Sequence, residues 1–261
     1  MRDRSRLRVV LLTQNDVFHI PFSLRRFLER LDRESVEIVN LVVLPPMNEG
    51  LRKIAARMYR FLGPIDFVRR GIAFVAYRLL GRIGLTKRSL ASLARGAHVD
   101  ILDVLSVNAP DFVEYLKRES IDVLASISCP QILRKATLHA PTWGCINVHS
   151  GRLPEYRGLM PCFWAMYHGE DAVGVTVHTM DETIDGGKAV QRADVVIEET
   201  DTWDCLVRRC KEVGGELMAR ALGQIADGTE TLVEYSGEGA YFSFPNRADV
   251  REFRRRGGRL L

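Results

Sequence analysis

The chain reads as an α/β protein built on a doubly wound, mostly parallel sheet, and three observations point there. Leu7 to Leu12 is a near-continuous apolar run, the pattern of a strand covered on both faces. A helical stretch, Ser23 to Leu31, separates it from a second apolar run, Val36 to Val43, so the order is strand, helix, strand. The same rhythm returns from Asp100 onward.

Each element has its own signal. Thr13-Gln14-Asn15-Asp16 reads as a loop of helix-capping residues after the first strand, and Pro45-Pro46 ends the second. Residues 48–98 break the rhythm and read as an inserted helical segment: Leu51 to Leu62, then Ile65 to Leu80 after Pro64, then Thr86 to Ala94. The α/β units resume with a strand at Asp100 to Val104, a helix at Asp111 to Glu119, and strands at Ile121 to Ile127 and Gly144 to Val148. Gly174 to His178 alternates as a half-buried strand does, Lys188 to Ile197 reads as extended, and Thr202 to Ile225 is a long helix. The expected division is a catalytic domain over residues 1–225 and a short C-terminal extension over 226–261.

Composition bounds the rest. At 46% hydrophobic and 27% charged, the 261 residues can bury a full core and match no disordered class. The charged start leads straight into a run too short for a signal-peptide core, and no run is long enough to span a bilayer, so the expected compartment is the cytoplasm. Five cysteines without a C-x-x-C fit neither a disulfide framework nor a zinc ribbon, and read as free thiols, with no metal site expected. Charge is uneven: Leu51 to Asp100 holds eleven Lys/Arg against two acids, Asp66 and Asp100.

One constellation carries chemistry. Asn147 and His149 are two apart at the carboxyl end of an apolar strand, so both side chains face one side, in the place where open α/β sheets bind ligands. Ser150 to Gly158 follows as a Gly- and Pro-containing loop. A second strand brings His178, and the acidic loop after it ends in Asp185-Gly186-Gly187. If the two strands are neighbours, Asp185 reaches His149. Such a trio suits acyl transfer to an amine: Asn147 and protonated His149 donate to a developing oxyanion, and Asp185 accepts a proton, directly or through water. A histidine after a strand is also a common core or surface residue, and an Asp before glycines a common turn residue.

The run Cys145-Ile146-Asn147-Val148-His149, followed by Leu153-Pro154-Glu155-Tyr156-Arg157-Gly158-Leu159-Met160-Pro161, resembles the signature of folate-dependent formyltransferases. That family includes the catalytic domain of methionyl-tRNA formyltransferase, glycinamide ribonucleotide formyltransferase and the nucleotide-sugar N-formyltransferases. Gly174 to His178 and Ile184-Asp185-Gly186-Gly187 are similar to its second block, and Gln131-Ile132-Leu133 to the loop that holds the pterin. The resemblance implies a Rossmann-like formyltransferase fold, 10-formyltetrahydrofolate as formyl donor, and a catalytic set of Asn147, His149 and Asp185. It implies folate-binding positions at Gln131, Ile132, Leu133, Asp181, Glu182, Thr183 and Ile184. Two departures stand out: Gly151 replaces the loop's usual Ser, and Ser128-Cys129-Pro130 replaces the usual tyrosine-glycine.

The acceptor is expected to be a small-molecule amine. About 35 residues follow the long helix, against the roughly hundred-residue tRNA-gripping domain of methionyl-tRNA formyltransferases, and no nucleic-acid module is recognisable. The loop at Thr13 to Pro21 lacks a glycine-rich phosphate turn. A nucleotide-linked amino sugar is therefore the expected acceptor. A formyltetrahydrofolate hydrolase and a non-catalytic folate- or nucleotide-binding module are the alternatives. The tail aromatics Tyr241, Phe242 and Phe244 are read as packing the tail onto the domain, with stacking on a base as the alternative. The basic segment 51–95 is read as a helical cover with a solvated face or a homodimer surface, with peripheral membrane contact as the alternative.

Overall fold

The computed structural model describes residues 6–45, 50–82 and 89–261. Its centre is a seven-stranded sheet in the order β3-β2-β1-β4-β5-β7-β8. These strands are β1 (Leu7–Gln14), β2 (Val36–Leu44), β3 (Asp100–Leu102), β4 (Val123–Ile127), β5 (Gly144–His149), β7 (Ala172–Thr179) and β8 (Ala189–Val196). The first five run parallel, and β7 and β8 are antiparallel to their neighbours. The chain winds outward from β1 to β3, then returns to place β4 on the other side of β1. That reversal opens a crevice at the carboxyl ends of β1 and β4, the usual ligand position in such sheets.

Alternation along the strands feeds two cores. Val9 and Leu11 of β1, Ala125 of β4, and Ile146 and Val148 of β5 pack on one side with α1 (Ile20–Arg30) and α7 (Trp203–Asp227). Val10, Leu12, Leu124 and Cys145 pack on the other with α4 (Pro110–Arg118) and α5 (Lys135–Leu138). Because β1 is covered on both faces, Val9 to Leu12 are all essentially inaccessible, which explains its unbroken apolar run. α1 starts earlier than Ser23, because Pro21 sits in its first turn, where its fixed φ suits a helix start. α7 begins at the Thr202 cap, whose hydroxyl accepts the Cys205 N–H at 3.2 Å, and stops at left-handed Gly228.

The inserted segment is one long helical run, α2 (Leu51–Arg82), broken at Gly63 (φ 77°, ψ 173°) just before Pro64. The expected helix at Thr86 to Ala94 lies partly outside the described residues; within them α3 spans Leu90–Gly96, capped by Ser89. α2 is anchored by Phe61, which meets the rings of Trp203, Phe163 and Phe244 at 5.0, 5.7 and 5.5 Å. Here α6 is Pro161–His168.

The tail holds more structure than its mixed sequence indicates. β9 (Tyr241–Phe242) pairs in parallel with β6 (Arg157–Gly158), and α8 (Arg247–Arg255) follows, with a capping box between Asn246 and Asp249. Phe242 stacks on Tyr156 and Trp164. Phe242 and Phe244 thus pack the tail on the domain, while Tyr241 stays exposed. All five cysteines are free.

Candidate active site

β5 and β7 are neighbours, and their register puts Asn147 opposite His178. With Asn147 and His149 on the same side of β5, three polar side chains converge at the carboxyl edge of the sheet. The loop after β7 swings Asp185 into the same space, with its backbone in the left-handed region at φ 52°. Asp185 Oδ2 lies 3.7 Å from His149 Nδ1, and Oδ1 lies 3.7 Å from His178 Nε2. The structure therefore brings together Asn147, His149 and Asp185, and adds His178.

The hydrogen bonds assign the rings. His149 Nε2 is 2.7 Å from the Tyr156 carbonyl, so Nε2–H donates and Nδ1 faces Asp185. His178 Nδ1 is 2.8 Å from the Thr179 carbonyl, so Nδ1–H donates and Nε2 accepts from the Asn147 amide at 3.2 Å. Burial pushes the His178 ring down to about 4, helped by the neighbouring His149 and opposed by Asp185. A neutral His178 keeps its Nε2 lone pair toward Asn147, which fixes the amide with its NH2 group inward.

Asp185 is held from the other side by the backbone. Its Oδ2 accepts the Gly158 N–H at 2.9 Å. Gly158 belongs to β6, which is pinned by β9 of the tail. Two glycines make this packing possible. A Cβ at Gly151 would stand 2.6 Å from His149 Nε2 and 2.7 Å from the Tyr156 carbonyl oxygen; at Gly187 it would stand 1.8 Å from the Thr179 oxygen. The Gly151 that departs from the usual Ser is thus fitted to this arrangement of His149.

The positions expected to hold folate divide into two groups. Asp181, Glu182 and Thr183 line a cavity of about 610 Å³ together with Leu138, Trp143 and Cys145. Its volume is within the range of small-molecule sites. Gln131, Ile132, Leu133 and Ile184 do not line it. The Gln131 side chain instead ties its loop to a neighbouring one, accepting from Val107 N–H at 2.9 Å and donating to the Leu105 carbonyl at 3.0 Å. Leu133 is buried in the core, whereas Ile132 and Ile184 are exposed apolar side chains. Apolar walls beside an acidic loop suit a flat ring system with polar edges.

Several residues here escaped the sequence reading. Leu138, which carries no signal in the sequence, and Cys145, read there as a free thiol, both line the cavity. His178 was visible on its strand, and only the β5–β7 register reveals its bond to Asn147. Tyr235 has no sequence signal: its hydroxyl is buried without a hydrogen-bond partner among the described residues, and burial raises its phenol, with Asp185 and Asp181 adding to the rise against Arg192.

Residues 93–222 match the formyl transferase family model. The chain is 31% identical over 142 residues to a methionyl-tRNA formyltransferase of Agathobacter rectalis, covering 54% of this chain and 46% of that protein. It spans about half the length of the curated relatives it matches. Among solved structures, it is similar to glycinamide ribonucleotide transformylase 1 from Symbiobacterium toebii (TM-score 0.61, 18% identity, 89% of this chain and 96% of that one). It is also similar to the N-formyltransferase from Helicobacter canadensis in complex with folinic acid and dTDP-3-aminofucose (TM-score 0.57, 17% identity, 91% and 71%). At such identities the structural likeness speaks for the fold alone, and the fold is the Rossmann-like one of formyltransferases. Residues 93–222, about half of the chain, thus belong to the formyl transferase family.

Proposed function

We propose that this chain is an N-formyltransferase that moves a formyl group from 10-formyltetrahydrofolate to a primary amine, with a nucleotide-linked amino sugar as acceptor. The observation that carries the reading is the meeting of Asn147, His149 and Asp185 at the carboxyl edge of the sheet.

Asp181, Glu182 and Thr183 would hold the folate with Leu138 and Cys145, and the bound folate would supply an electrophilic formyl carbon. Asn147, set by neutral His178, presents an N–H to an oxygen that gains negative charge. His149 commits Nε2–H to Tyr156, so in the imidazolium form its donor for that oxygen is Nδ1–H, in the 3.7 Å gap shared with Asp185. Two such donors act best where charge develops during reaction. Asp185 takes the proton released by the attacking amine, directly or through one water, and that proton would pass to the folate nitrogen as its bond to the formyl carbon breaks, leaving the formamide and tetrahydrofolate. The Gly158 N–H keeps its carboxylate aimed into the gap.

The amino-sugar reading is supported by the loop after β1, which carries no glycine-rich phosphate turn, and by the N-formyltransferase complex with a dTDP-linked amino sugar among the fold's neighbours. The test is tetrahydrofolate release by purified chain with amino-sugar nucleotides, glycinamide ribonucleotide, methionyl-tRNA or buffer alone. Turnover that requires an amino-sugar nucleotide is expected. Turnover only with methionyl-tRNA would replace the acceptor, and equal turnover in buffer would make the enzyme a hydrolase.

A further inference from the structure

The outward face of the second half of α2 takes part in nothing described so far. Ile65, Val68, Ile72, Val75 and Leu79 recur at intervals of three and four, and all five are between 54 and 73% exposed. On a helix this spacing makes one continuous stripe, about 21 Å long at 1.5 Å per residue. The opposite face does the packing. Arg70 Nη1 meets Asp204 at 2.6 Å and its guanidinium lies 3.6 Å from the Phe18 ring centre, while Phe74 and Tyr77 approach Phe18 at 6.3 and 5.9 Å. A long apolar stripe left on the surface marks an interaction site.

The charge around the stripe selects the occupant. Arg69 and Arg78, both exposed, fall on opposite sides of the stripe at about 100° per residue. The first half of α2 adds exposed Arg52, Lys53 and Arg60. The whole helix carries eight Lys/Arg and one acid, Asp66. A second copy laid on this stripe would bring two such helices together, like charge against like charge. An anionic bilayer complements both the stripe and its basic borders. Among the described residues no helix is long and apolar enough to cross a membrane, so the helix would lie in the interface.

We propose that α2 is an interfacial helix: the stripe from Ile65 to Leu79 enters the acyl boundary of an anionic bilayer, and the flanking arginines meet lipid phosphates. Phe18, on which the other face of α2 rests, belongs to the loop after β1, so the docked helix holds the carboxyl edge of the sheet beside the bilayer. The proposal is independent of the reaction assigned above.

The experiment is co-sedimentation of the full chain with vesicles of phosphatidylglycerol mixed with phosphatidylcholine, and with phosphatidylcholine alone. Binding to the mixed vesicles is expected, weak on neutral ones and falling as salt rises. Ile72→Glu/Val75→Glu should abolish it, and Arg78→Ala should lower partitioning about fivefold. Both glutamates stand at exposed positions, so circular dichroism and melting should match the unsubstituted chain. Absence of binding at low salt, or full binding by the double variant, would overturn the proposal. So would a dimer in sedimentation that the double variant splits, without vesicle binding, since the stripe would then join two copies.

Discussion

Around His149 the tolerances are of ångström size, and single substitutions should register in rate. Gly151→Ala sets a methyl group against the imidazole and the Tyr156 carbonyl, and a displacement of this kind typically costs about 10²-fold in rate. Release of tetrahydrofolate by the variant, read well below its melting transition, measures it. His178 makes a pH prediction. Its folded value, near 4, is below the ordinary 6.5, so its contribution to stability is intact above 6.5. It is lost as the pH falls toward 4, because the unfolded chain takes up the proton first. In urea titrations, His178→Gln should therefore lose less stability than the unsubstituted chain across that window. An equal loss in both would contradict the assignment of a buried neutral ring. The trio itself was legible in sequence because strand alternation places Asn147 and His149 together. The bond from Asn147 to His178 was not legible, since it depends on the register between two strands 31 residues apart.

Among elements, α2 depends on few contacts for its length. Phe61 is 1% exposed and sits among three aromatic rings. Phe61→Ala should cost about 3–5 kcal/mol of unfolding free energy, the range for a large aromatic truncated in a core, and denaturant titration reads it directly. A loss under about 1 kcal/mol would mean that α2 docks by other means. Periodicity made the parallel strands and α7 legible, because burial on one or both faces writes itself into the pattern. The α2 break was legible from Pro64, although the non-helical residue is Gly63. β6 and β9 were not, being two residues each and held by pairing that no local pattern records. α8 was missed because its nine residues bury only Val250 and Phe253, and its arginines mask the stripe.

Across the whole molecule, the tail and the candidate site are mechanically joined. β9 holds β6, β6 presents the Gly158 N–H, and that N–H grips Asp185. Phe242→Ala removes the stack on Tyr156 and Trp164 without touching Asn147, His149 or Asp185. It should raise hydrogen exchange at the Gly158 amide and lower kcat together. A fall in kcat with unchanged exchange would break the link between tail and site. The expected boundary at residue 225 thus separates two stretches that share one task, the tail shaping the loop that shapes the site.

Asn147, His149 and Asp185 are proposed to carry out formyl transfer. The most direct test is the kcat of tetrahydrofolate release by Asn147→Ala, His149→Ala and Asp185→Asn, each checked for an unchanged fold. Each should fall by about 10²–10³-fold or more, the cost of losing one transition-state donor or its partner. Any variant that keeps its rate within about tenfold of the unsubstituted chain, a loss of only about 1.4 kcal/mol, would contradict the account.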